Sequence, residues 1–143
     1  MKKWITLFAF ANAVCAQAQM SPVGTWHNID DETKQITAEI VIKETNGIVT
    51  GNVVKFLRPD ADLKRICTKC DDDRKDQPML GMEIIRGAVK VAGKDVWEGG
   101  KILDPDKGSS YALRLTPIEG GKKLEVRGSF LFISRTQTWL RVN

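Results

Sequence analysis

Apolar and polar positions alternate with a period of two along most of the chain. Residues 36–43, Ile-Thr-Ala-Glu-Ile-Val-Ile-Lys, show it best and place Ala38, Ile40 and Ile42 on one face of a strand. Asn46-Gly47 follows, a strong two-residue hairpin signal, and residues 48–57 form the return strand. Further strands are predicted at 82–88, 96–103, 109–118, 122–131 and 133–142. Gly93-Lys94, Asp106-Lys107-Gly108 and Glu119-Gly120-Gly121 punctuate them. With residues 24–29 at the front, the count is eight.

Eight consecutive strands without intervening helices predict an all-β fold, an eight-stranded antiparallel up-and-down barrel. Closure removes the exposed edges of the sheet, and a barrel of this size is filled by side chains or holds one small ligand. An open sandwich is the other arrangement the pattern allows. In a closed barrel the first and last strands must be neighbours. One connection, 58–80, is long for a compact domain and carries Cys67, Cys70 and Asp71-Asp72-Asp73. Within it, residues 60–65 suggest a single helical turn with Asp60 as N-cap, so the segment reads as one long disulfide-stapled loop.

The N-terminus changes the picture of where the protein works. A basic start (Lys2, Lys3), an apolar stretch over residues 4–14 and Ala16-Gln17-Ala18 compose a secretory signal peptide over 1–18. Cleavage near Ala18 leaves a single β-barrel domain over 19–143, periplasmic or secreted. Cys15 raises lipid attachment as an alternative, but Asn12-Ala13-Val14 lacks the small-residue box such a cysteine follows. The 22 basic and 18 acidic residues give +4, and losing Lys2 and Lys3 leaves +2. The charges are interspersed, which argues against a nucleic-acid partner, and no later apolar run has the length of a membrane span.

Chemistry is sparse. Export favours a disulfide between Cys67 and Cys70; a redox pair would need a βαβ unit that is not visible, and free thiols are the remaining reading. Zinc would need about four ligands, and two cysteines with the lone His27 do not supply them, so no metal site is expected. Asp104-Pro105-Asp106-Lys107-Gly108 reads as turn chemistry rather than as catalytic or calcium-binding acids. No nucleophile constellation is evident, no catalytic residue is assigned and no cofactor is implied; a non-enzymatic protein is expected.

The tryptophans either plug the barrel or line a cavity. Candidate cavity residues are Ile40, Ile42, Trp97, Tyr111, Leu113, Arg127 and Trp139; candidate closure residues are Gly24, Trp26 and Arg141. Trp139 and Arg141 share a strand face, where a guanidinium can stack on a neighbouring indole. Paired Gly99-Gly100 within a strand suggests a bulge that lets Trp97 and Ile102 face the same side despite their odd spacing.

Gly24-x-Trp26, Asp30-Asp31, Cys67-x-x-Cys70, Pro78-x-x-Gly81, Trp97-x-Gly99-Gly100-x-Ile102-x-Asp104-Pro105, Tyr111, Arg127-Gly128 and Thr138-Trp139-x-Arg141 together resemble a secreted bacterial family, domain of unknown function 2147. That family is similar to lipocalins in fold. The resemblance implies an exported, non-enzymatic barrel with Trp26 against Arg141 or Arg127, and it supplies no ligand. Three functions stand side by side: a carrier of a small, largely apolar ligand; an envelope protein-interaction module or inhibitor acting through its loops; and an enzyme. The carrier predicts an unfilled interior volume, the module a filled barrel with an exposed apolar or charged loop patch.

Overall fold

The computed structural model describes residues 20–142; the signal peptide and cleavage site expected from the sequence, with Cys15, lie outside them. The strands are β1 (Gly24–Ile29), β2 (Ile36–Thr45), β3 (Ile48–Phe56), β4 (Glu83–Lys90), β5 (Trp97–Asp104), β6 (Ser109–Ile118), β7 (Lys123–Phe130) and β8 (Ile133–Arg141). Their bounds agree with the sequence reading to within about two residues. Each strand pairs antiparallel with the next and β8 returns to β1, so the sheet is a closed barrel rather than an open sandwich.

Alternation builds the core. Trp26 pairs with Ile40, Ile42 with Gly51, Leu115 with Val126 and Leu124 with Trp139, and every one of these residues is buried. Direct cross-strand partners share a face, so one stripe from each strand fills the interior. The register between β5 and β6 shifts between Glu98 and Lys101, where Gly99 takes a positive φ of 83°. Beyond that bulge, Trp97 opposes Leu115 while Ile102 opposes Tyr111, so both face inward across an odd spacing.

The long segment between β3 and β4 is a cover for the outer wall, not a lid over an end. Leu103 and Ile84 alternate with the inward Ile102 and Ile85, so they point out, yet both are buried. Cys67, Cys70, Met79 and Met82 belong to the same apolar cluster and supply that cover. Arg86 clamps Asp73 with two bonds of 2.8 and 2.9 Å, and Arg74 donates to the Glu83 carbonyl at 2.9 Å. Hydrogen bonds from the Arg74 side chain and backbone hold the Asp72 carboxyl at about 2. The helical turn expected at Asp60 is absent: Ala61 and Arg65 close two separate turns on Arg58 and Asp62, and the Asp62 side chain accepts from Lys64. A helix here would have to face outward without an apolar stripe to bury.

Cys67 and Cys70 form a disulfide. So short a loop removes little freedom from the unfolded chain, about 2 kcal/mol in the loop-entropy picture. The double Cys→Ser variant is therefore expected to keep the β signature in circular dichroism and to unfold at modestly lower urea. Loss of the folded spectrum in water would contradict this.

Candidate functional site

The two ends of the barrel differ. At one end Trp26 is fully buried, its indole N–H donating to the Pro22 carbonyl at 2.8 Å. The Arg141 guanidinium lies 4.2 Å from the Trp26 ring centroid and donates to the carbonyls of Gly121, Val23 and Ser21 at 2.6–2.8 Å. Arg141 is thus a cation held by a π face and three carbonyl dipoles, and its burial lowers its pKa. Gly24 has a φ of 139°, and a Cβ there would collide with that guanidinium. Gly24, Trp26 and Arg141 come together as the plug of this end.

At the other end the inward stripe is not sealed. Ala38 pairs with Phe56, and Ile102 with Tyr111; all four face the barrel axis, yet all are only half-buried. They form the apolar rim of a cup whose floor is the buried layer of Trp139, Ile40, Ile85 and Leu113. Across the β1–β8 seam the wall is polar. Backbone pairing there is confined to Trp26–Arg141 and His27–Leu140. Further up, side chains bridge instead: Asn28 donates to Gln137 at 3.1 Å and Arg135 to Asp31 at 2.7 Å. The Asp31 carboxylate raises the pKa of Arg135.

Gln137 is oriented by its neighbours. The Trp139 indole N–H can only donate, and it reaches the Gln137 side-chain oxygen at 3.2 Å. With that oxygen accepting twice, the Gln137 amide NH₂ makes no hydrogen bond among the described residues and is free to donate into the cup. The Tyr111 hydroxyl likewise makes none, and its ring stands over Gly128, which leaves it room.

The candidate cavity residues separate by depth. Ile40, Ile42, Trp97, Leu113 and Trp139 are sealed core, and of the inward candidates only Tyr111 is half-buried. Arg127 does not face the cavity. It sits between the inward Val126 and Gly128, pairs with the exposed Arg114 and Thr136, and bonds Ser134 on the outside. The alternation of Leu124 and Val126 carried that signal. Asn28, Ala38, Phe56 and Gln137 were missed as site residues, because alternation gives the face of a residue but not its height along the barrel axis.

Two open clefts of about 800 and 540 Å³ lie along the wall, the first beside Lys101 and Ser110 and bordered by Tyr111 and Phe130, the second beside Glu98 and Arg127. Most of their charges are already paired, Arg86 with Asp73, Arg74 with Asp72 and Arg114 with Glu98. No group of three or more metal-ligating side chains occurs among the described residues, and no helix there is long and apolar enough to cross a membrane.

A closed antiparallel barrel of eight strands, plugged at one end and cupped at the other, is a lipocalin-like architecture. The solved structure of HP1028 from Helicobacter pylori, described as belonging to the lipocalin family, superposes with a TM-score of 0.71 at 18% identity, covering 85% of this chain and 82% of that one. The chain itself belongs to DUF2147, a family of uncharacterized proteins conserved in bacteria, whose profile matches residues 24–141. No curated protein matches the chain in sequence.

Proposed function

We propose that the protein is an exported, non-enzymatic binder of a small, largely apolar ligand that carries a hydrogen-bond acceptor such as a carbonyl or carboxylate. The observation that carries this reading is the half-buried ring of Ala38, Phe56, Ile102 and Tyr111, apolar side chains that face the axis without being covered. Sites for small molecules combine such walls with a few fixed polar groups. Here the Gln137 amide NH₂, aimed by Trp139, and the Tyr111 hydroxyl would meet the acceptor. The sealed lower half limits the ligand to the depth of the upper barrel. A second reading, an envelope interaction module acting through its loops, draws support from that same filled lower half.

Filling the cup tests the first reading. Ala38→Trp adds an indole to the rim without touching the sealed floor. It is expected to weaken binding of a fluorescent apolar carboxylate at least about tenfold while the barrel stays folded. Equal binding of the probe by the wild type and the folded variant would contradict the assignment.

A further inference from the structure

The hairpin between β7 and β8 ends in four consecutive large apolar residues that cover nothing. Phe130 is 62% exposed, Leu131 81%, Phe132 94% and Ile133 68%. Such a run at a solvent-facing turn is unfavourable in water and is not needed to close the hairpin, which any small polar pair would do. The tip also stands clear of its neighbours. Pairing of β7 with β6 stops at Ser129, and β8 meets β1 only near its far end. Leu131 and Phe132 project as a convex point, while Phe130 also borders the cleft of about 800 Å³ beside Lys101 and Ser110. The tip's apolar area, roughly 500 Å², falls short of the ~800 Å² per side of a stable protein interface.

The charges on the hairpin's own two strands near the tip have one sign. No acidic residue occurs after Glu125, and Arg127 and Arg135 flank the tip on its two strands. Arg127 forms no ion pair among the described residues; its partner is the Ser134 hydroxyl at 3.0 Å. Of the acids on other loops of this end, Asp30 pairs with Arg58 and Asp106 with Arg65, Asp31 neutralises Arg135, and Glu32, Asp60, Asp62 and Asp71 form no ion pair among the described residues, so Arg127 is the unpaired cation of the hairpin. A convex apolar point with a free cation one short strand behind it is complementary to a lipid surface: the point enters the acyl boundary and the guanidinium meets headgroup phosphate.

We propose that the Phe130–Ile133 tip docks the barrel onto an anionic lipid bilayer, with Arg127 at headgroup level. Phe130 and Ile133 continue the inward stripe of Gly128 and Arg135, so docking sets the open end of the barrel against the membrane. The inference does not require the cup to be occupied, because the tip lies outside it.

Vesicle flotation tests it, with vesicles of phosphatidylcholine alone and vesicles in which about one third is phosphatidylglycerol. The wild type is expected to float with both and to favour the anionic set about fivefold, as one guanidinium near the surface allows. Leu131→Ser/Phe132→Ser should lower partitioning at least about tenfold with thermal unfolding unchanged. Arg127→Gln should lower it only on the anionic set. Phe132→Trp should shift its emission to the blue on adding vesicles. A folded wild type that stays with neither set, or a double variant that floats equally well, overturns the proposal. So does a sedimentation profile in which the wild type is a dimer and the double variant a monomer, since a second copy would then cover the tip.

Discussion

Trp26→Ala is expected to remove most of the stability of the barrel. The indole is fully buried, and truncating it opens a cavity worth about 3–5 kcal/mol. It also strips Arg141 of the π face 4.2 Å away, a contribution of about 1–2 kcal/mol in a desolvated setting. Against a typical total of 5–15 kcal/mol, the sum of these effects leaves a marginal protein. Urea unfolding followed by near-ultraviolet circular dichroism measures the loss. A drop below about 1 kcal/mol would mean that the plug relaxes around the gap, and that closure rests on the backbone pairing of β1 with β8.

Gly100→Ala should be nearly as damaging for a different reason. A Cβ at Gly100 would overlap the Ala88 amide and the Arg86 carbonyl and stand 2.7 Å from the Gly87 carbonyl carbon, all of them backbone. Backbone cannot rotate aside as a side chain does, so β4 and β5 would have to part where they pass closest. The effect should exceed the about 1–3 kcal/mol of ordinary overpacking, with little folded protein recovered. Gly93→Ala is the control. Its φ is 72°, but nothing lies within 4 Å, so only backbone strain of about 1–2 kcal/mol is at stake. Equal losses at the two positions would show that conformation, not contact, explains Gly100.

Much of this architecture was legible because a period-two pattern encodes parity. Parity located the strands and their faces, their unbroken succession ordered them and brought the first beside the last, and the paired Gly99-Gly100 marked the bulge that puts Trp97 and Ile102 on one face. Parity also contained the outward direction of Arg127, which its basic character and family setting obscured. Height was not encoded. Whether an inward residue is sealed like Leu113 or half open like Tyr111 depends on how far the neighbouring strands and connections reach. The segment between β3 and β4 was legible as a stapled loop but not as the cover of Leu103 and Ile84, since those residues look like any other buried pair in sequence. Phe130, Leu131 and Ile133 read as the facing ends of two strands with Phe132 between them, and the early end of β6 pairing leaves them in water.

The sealed end has a mechanical consequence. Both ends of the described chain leave the barrel there: Arg141 reaches back to Ser21 and Val23, and the Val142 amide donates to Thr25. A linkage at either terminus would therefore hold the molecule by its base, with the cup and the apolar hairpin tip facing away from the support. Tension applied between the two termini would fall first on the β1–β8 seam. It would peel apart two residue pairs and the Arg141 clasp one after another, the geometry in which strands resist force least.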